Sequence, residues 1–492
     1  MEVRIEKMCF TLLADDNILL SKMLRLGRRK KTAERLLCLS GVDLNLKVGS
    51  VSAILGSSFE SKQLLDIIAL RQTEGFLSGS ITHDGVVRSN GIYRDIAYIP
   101  CEDNIHFEKL RVFESLYYAA RLRLVNRDIE CRERAREAAR ILGLDGSSFV
   151  CKLDQCERRL FSIGMELVGN PSLICIHYPT AGLDASSALE VCRCLHKISR
   201  RQNSSTTIVY TISPPSAEML AFTDELVVIA GPLVVFAGPV TSRSDDGNLV
   251  RLASKIAVEM LLGSTDTTDR RALDTNKRIK LLGLEMNNFK SPTLSNSGEG
   301  FGLSAGPLRE FGRRKAPDLS PPVRTFKPVW KEVYLLVARA VQFARYDKYQ
   351  VRMSIVRLCL CGLVLGGILY GAGENLDTNI SSASEARPDK NAYNVTSCLF
   401  AIVILSINGL SLSIPLMHSN IKALRYEVSQ RLHRPVSSWL SMVIVEMPIY
   451  AIAGTGLGLI VYGMVDIAAP CSVFVGSVIL IILTAYRYSL TK

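Results

Sequence analysis

This chain does not open on an apolar run. Its first residues, Met1 to Asp16, carry charge throughout and contain no h-region, so no cleaved signal peptide is expected. It also lacks a disulfide framework. Its 13 cysteines have no framework spacing and nine of them precede residue 195, which predicts reduced thiols in a cytosolic domain. Cys192 and Cys194 form a close pair with no second pair near it, so no metal site is expected there. Finally, no basic patch is interleaved with aromatics. The net charge of +12 is therefore assigned to positive-inside bias and a solvated domain face, and nucleic acid is excluded as a partner.

What is present is length and two kinds of text. With 492 residues, 48% of them hydrophobic, the chain predicts more than one domain. Residues 38–240 alternate β-branched runs ("VSAILG", "IAYIP", "SLICIHY", "TTIVYTI", "ELVVIAGPLVVFAG") with amphipathic patterns such as "RVFESLYYAARLRL" and "IECRERAREAARILGL". That is α/β text with a largely parallel sheet buried on both faces. The α/β domain is placed at 1–262 and a polar Gly/Ser/Pro-rich linker at 263–328. A basic amphipathic helix follows at 329–350, expected on the membrane surface, and an all-α transmembrane domain at 351–492.

Four apolar stretches, Met353–Ala372, Val395–Met417, Ser438–Met464 and Ala468–Tyr486, approach the length that crosses about 30 Å of hydrocarbon. Residues 418–437 carry Lys422, Arg425, Arg431 and Arg434 against Glu427, while residues 373–392 are net acidic. The positive-inside rule then puts both termini in the cytosol and residues 373–392 outside, where Asn379 and Asn394 are glycosylation candidates. Glu446 lies within the third stretch beside an expected helix break at Pro448.

Within the first domain, "ILGSSFESKQLL" (Ile54 to Leu65) approximates the phosphate loop G-x-x-x-x-G-K-[ST]: Gly56 opens it and Lys62 is correctly spaced, but Ser61 replaces the second glycine and Gln63 the hydroxyl. "RLFSIGMELVGNPSLICIHYPTAGLDASSALEV" (Arg159 to Val191), preceded by this loop and followed by linker, amphipathic helix and spans, resembles a G-subfamily ABC half-transporter of the white/sterolin group. Pro179, Thr180, Gly182, Leu183, Asp184, Ser186 and Ser187 carry the likeness most specifically.

The resemblance implies an ABC-type nucleotide-binding domain using ATP and Mg²⁺, and it assigns each chemical position. The loop residues Gly56, Ser57, Ser58, Ser61, Lys62 and Gln63 would hold phosphate, but Phe59, Glu60 and Ser61 replace its central Gly-Ser-Gly, and Glu60 adds a negative charge. Cys101 stands where a glutamine reaches Mg²⁺. The signature reads Asp154, Gln155, Cys156, Glu157, with a carboxylate in place of the serine hydroxyl. His177 and Tyr178 replace the Asp-Glu pair that orients Mg²⁺ and polarises water, and Ser213 replaces the switch histidine. Gly182, Leu183 and Asp184 form the turn that in the family packs across the subunit boundary. Weak nucleotide binding and no independent hydrolysis are expected.

The implied function is export of lipid or sterol by a heterodimer, with this chain as the impaired partner of a second, intact half-transporter subunit in the plasma membrane. The alternative is a non-transporting regulatory protein that pairs with intact half-transporters. The family has six spans. This sequence ends six residues after the fourth, which leaves a truncated product, an incomplete gene and a four-span protein as alternatives.

Overall fold

The computed structural model describes residues 1–14, 34–72, 75–87, 95–102, 105–124, 128–201, 206–212, 216–240, 328–349 and 420–465, with single positions between 352 and 364. Ser213, Asn379, Asn394, the linker up to residue 327 and the stretches 395–417 and 468–486 lie outside the described residues. The chain divides into two compact units.

The first unit comprises Met1–Asp103, Arg134–Asp145 and Leu153–Arg324. Its frame is a ten-stranded sheet in the order β5-β4-β1-β2-β10-β9-β3-β8-β7-β6. Strands β3 (Val51–Leu55), β6 (Ile96–Ile99), β7 (Leu173–Ile176), β8 (Thr207–Ile212) and β9 (Glu225–Ala230) run parallel as neighbours. Every residue of β3, β7 and β8 is buried, the pattern of strands covered on both faces. These are the strands that the β-branched runs predict.

Apart from a parallel bridge between β10 and β2 at Leu233 and Ser40, the rest of the sheet is antiparallel, and the expectation of a largely parallel sheet missed it. β1 (Val3–Ala14) pairs with β2 (Glu34–Leu46) and β4 (Phe76–His83), β4 pairs with β5 (Val86–Val87), and β10 (Leu233–Pro239) turns back on β9. The signal in β1 is alternation, with Val3 and Ile5 buried and Arg4 and Glu6 exposed, but it shifts phase at Lys7. There the backbone is left-handed (φ 47°) and the register with β2 slips, as at a bulge. Gly79 lies opposite, and a Cβ on it would meet the Lys7 carbonyl at 2.6 Å. Val3, Ile5, Met8, Phe10, Leu39, Leu64, Leu65 and Ile68 form one core beneath this wing and helix α1 (Ser58–Ile68). The unit's other long helices are α4 (Gln155–Leu167) and α5 (Ala185–Ser199). Short α6 spans Ala217–Leu220. Helix α3 covers Asp128–Ile141 and is only partly within this unit.

The second unit comprises Asn104–Glu133, Gly146–Lys152 and Thr325–Lys492. Helix α7 (Val329–Tyr346) packs on α2 (Val112–Arg123) through Leu335, Leu336, Tyr118 and Leu122. Tyr118 donates to Gln342 Oε1 at 2.6 Å. The inward face of α7 also carries charge. Arg339 makes a two-pronged pair with Glu427 in α8 (residues 420–429), Nη1 to Oε1 at 2.5 Å and Nη2 to Oε2 at 2.8 Å. Glu332 accepts from Arg434 N and Ser437 Oγ, both at 3.0 Å, where α9 (Pro435–Val465) begins. Glu332 and Arg339 are 2% and 7% exposed, turned into protein and paired there, which the expectation of a basic amphipathic helix did not include.

Helix α9 runs 31 residues and continues through Pro448, so the expected break at that proline does not occur. Proline removes one i→i−4 bond but a long helix tolerates that where neighbours or water compensate. α9 contains the third expected span. Val436, Ile444, Ile452 and Leu459, at intervals of eight, eight and seven, are exposed along it, as are Met353, Val356, Leu360, Leu363 and Val364 in the first. Many side chains of α9 are outside the described set, and among the described residues no helix is long and apolar enough to cross a membrane.

Candidate functional site

Two of the groups singled out in the first domain meet where neighbouring strands end: the Gly56 loop after β3 and His177–Tyr178 after β7, with Thr211 of β8 beside them. Gly56 leaves β3, and a side chain there would press on Ile229 Cβ at 3.2 Å and its carbonyl at 3.3 Å. A phosphate loop requires the following backbone N–H groups to converge on a concavity. Here they do not. Helix α1 begins at Ser58, so Phe59, Glu60 and Ser61 are helical. Ser61 N donates to Ser57 O at 3.1 Å, and Ser61 Oγ donates to the same carbonyl at 2.6 Å. Phe, Glu and Ser have the Cβ that favours a helical turn, whereas the glycines they replace would leave the segment free to open.

Tyr178 meets this turn. It follows β7 with a left-handed backbone (φ 47°), and its N–H donates to Thr211 Oγ1 in β8 at 2.7 Å. Its phenol oxygen lies 3.2 Å from Ser61 Oγ and 3.5 Å from the Gly56 carbonyl. Burial raises the phenol pKa, so it remains a neutral donor. The ring stacks edge-on against His177 at 4.7 Å. Burial, with Lys62 and Arg159 nearby, lowers His177 to about 4, so its imidazole is neutral at pH 7.

Three buried atoms at this site have no hydrogen-bond partner: Glu60 Oε2, Gln63 Oε1 and His177 Nε2. Burial raises the Glu60 carboxyl pKa. Lys62 is exposed, and Ser57 and Gln63 are half-buried. Cys101, at the end of the β6 segment, contributes its carbonyl, not its thiol: Arg159 Nη2 donates to Cys101 O at 2.9 Å and Nη1 to Pro100 O at 3.3 Å. Arg159 is 1% exposed and fixes α4 against β6, a positioning role that the sequence reading did not assign; nor did it assign Thr211.

The signature positions have a local explanation. Asp154 caps α4: its Oδ1 accepts from Glu157 N at 2.6 Å while Glu157 Oε2 accepts from Asp154 N at 3.1 Å. Cys156 is buried, its thiol reaches Ser187 O at 3.8 Å, and burial with Glu190 raises it to about 11, so it stays protonated. Gln155 lies against the turn, where a Cβ on Gly182 (φ 77°) would stand 2.7 Å from its Nε2. Leu183 N closes that turn on Thr180 O at 3.3 Å. Asp184 then caps α5, accepting from the Ser186 hydroxyl, from Ser186 N at 3.2 Å and from Ser187 N at 3.3 Å, and these bonds, the Ser186 side chain's first, lower its carboxyl pKa.

These residues do not fit Mg²⁺-bound ATP. An amide replaces the metal-binding hydroxyl, and a neutral imidazole and a phenol replace the two carboxylates. The Ser61 N–H is committed to a helix. Among the described residues no group of three His, Cys, Asp or Glu could hold a metal ion.

The sheet with α4, the turn and α5 makes an α/β domain, and a helical segment follows it in the chain. The ABC-2 type transporter family matches residues 331–491. ABC transporter G family member STR2 of Medicago truncatula is 36% identical over 192 residues, 37% of this chain and 26% of the relative. Member 22 of Arabidopsis thaliana is 33% identical over 202 residues, 39% of this chain and 26% of the relative. Member 17 of the same plant is 28% identical over 323 residues, 61% of this chain and 47% of the relative. The matches thus span a quarter to a half of these relatives' length. A dimeric bacterial ABC transporter cassette covers 49% of the chain at 18% identity, with a TM-score of 0.39. The chain is thus similar to G-family ABC transporters and carries an ABC-2 type transporter segment.

Proposed function

We propose that this chain is a half-transporter subunit whose own cassette does not turn over nucleotide, and that it works beside an intact ABC subunit to export lipid or sterol. The supporting observation is the join of an ABC-2 membrane segment to a cassette in which His177 and Tyr178 stand where carboxylates would be needed. ATP and Mg²⁺ would be held mainly by the partner's loop and carboxylates, with this chain's Asp154–Glu157 segment facing them. Gly182, Leu183 and Asp184 would lie at the subunit boundary. The lipid class rests on the sterolin-like text alone.

The regulatory alternative is favoured by one observation, the helical turn at Ser58–Ser61, since a cassette that cannot open its loop could hold a partner inactive. The test is purification from native membranes. The expected result is a heterodimer with a second ABC subunit, no ATPase from this chain alone, and lipid movement by the reconstituted pair. Mg²⁺-dependent turnover near 1 s⁻¹ by the lone chain, roughly the low end for enzymes, would overturn it. A pair that forms but moves no lipid would support the regulatory reading.

A further inference from the structure

The loss of carboxylates explains slow chemistry. It does not explain why the loop is coiled and why a tyrosine reaches it. We propose that Tyr178 stands in for nucleotide: its hydroxyl clamps the Gly56–Ser61 segment as a helical turn, so that this cassette is closed to triphosphate and holds its loop without a ligand. The inference deepens the reading of an impaired cassette and rests on it.

The hydrogen bonds have a defined direction. Ser61 has one hydroxyl proton, and Ser57 O, at 2.6 Å, takes it. The bond between Ser61 Oγ and the Tyr178 oxygen at 3.2 Å is therefore donated by the tyrosine, with the Gly56 carbonyl at 3.5 Å as a weaker second acceptor. The chain Tyr178 → Ser61 → Ser57 ties the end of β7 to both ends of the turn. Opening the loop for phosphate would break it and would withdraw the Ser61 N–H from Ser57 O.

The tyrosine is held in place from behind. A left-handed backbone is unfavourable for a residue with a Cβ, and such positions persist when surroundings over-determine them. Here the Thr211 bond at 2.7 Å and the His177 ring at 4.7 Å do so. The surrounding polar atoms, Glu60 Oε2 and Gln63 Oε1, are unpartnered acceptors. A phosphate also brings only acceptors, so it would satisfy neither of them.

The test is amide hydrogen exchange on the full chain in detergent, followed at residues 56–63. In the wild type, millimolar ATP, with Mg²⁺ or with chelator, is expected to leave exchange unchanged. Tyr178→Phe keeps the ring and removes the donor, and is expected to speed exchange of Ser61 about tenfold. Ser61→Ala should do the same, and the double variant should add little to either. The combined change Phe59→Gly, Glu60→Ser and Ser61→Gly, which removes the acceptor of the clamp, is expected to gain ATP protection of the loop. Protection of the wild-type loop by ATP overturns the proposal, as does an unchanged Ser61 rate in both Tyr178→Phe and Ser61→Ala. ATPase of the complex with a partner tests the parent reading separately, because a heterodimer without turnover leaves these exchange results as they stand.

Discussion

Asp154 can act through its charge or through its hydrogen bonds, and the two roles are separable. As a signature residue it puts a repelling carboxylate near a phosphate. In the fold it is a satisfied helix cap with reciprocal bonds to Glu157. Losing such a cap is unfavourable by about 1 kcal/mol, whereas serine caps nearly as well. Asp154→Ala should therefore speed amide exchange in the first turn of α4 about fivefold and Asp154→Ser should not. Equal effects of both would return the residue to a purely electrostatic role. His177 gives a pH signature. Its folded pKa lies near 4, below the ordinary 6.5, because burial and the neighbouring Lys62 and Arg159 disfavour the cation. Between those values the unfolded chain binds a proton that the fold refuses, so stability falls as pH drops from 6.5 to 4 and is fully present above 6.5. His106 in the second unit is lowered to about 4 by burial and contributes in the same direction. His177→Gln should flatten the pH dependence of cassette unfolding over that window; an unchanged slope would remove His177 from the account.

Among the elements, α7 has most at stake in paired charge. Arg339 and Glu427 are 7% and 3% exposed, and His433 Nε2 adds a third contact to Glu427 Oε2 at 3.0 Å. The Arg339 guanidinium also lies over the Phe107 ring at 4.4 Å. Burial alone would raise the Glu427 carboxyl, but Arg339 and His433 hold it down to about 2. That stability is present above about 4.5, where the unfolded carboxylate is ionised, and is lost as pH falls through 2. Arg339→Ala would leave the carboxylate buried without its main partner, a loss of about 3–5 kcal/mol. Arg339→Lys would not restore the two-pronged geometry. Thermal unfolding should show both as destabilised, with Arg339→Ala/Glu427→Gln partly recovered. A double variant no better than the single would argue against the pairing.

These elements also show what was legible. The buried parallel strands were readable because β3 and β8 are runs of β-branched text. The antiparallel wing was not, because the Lys7 bulge breaks the alternation of β1. The altered chemical positions were readable one by one. Their joint effect was not, since the contact of Tyr178 with Ser61 spans 117 positions and depends on the path of β7. The inward turn of Glu332 and Arg339 was likewise hidden, because their partners lie about a hundred residues away.

For the whole molecule the open quantity is topology, and α9 allows it to be argued. Its 31 residues extend about 46 Å at 1.5 Å per residue, longer than about 30 Å of hydrocarbon. The sequence expectation puts its third span, Ser438–Met464, within α9, and a spanning helix of this length would tilt or project beyond the bilayer. Arg425, Arg431 and Arg434 precede Pro435, and Glu332 and Ser437 are hydrogen-bonded there, so polar groups concentrate at the N-terminal end. The positive-inside rule predicts that this end is cytosolic and that the net-acidic residues 373–392 are external. In a chain with its native cysteines replaced, Ser381→Cys should react with an impermeant maleimide in intact cells. Ser429→Cys should react only after permeabilisation. Glycan attached at Asn379 or Asn394 should disappear in Asn379→Gln/Asn394→Gln, seen as a mobility shift with endoglycosidase. Labelling of Ser429→Cys from outside, or glycan at a sequon engineered into 418–434, would invert the arrangement and place the charged start of α9 on the external side.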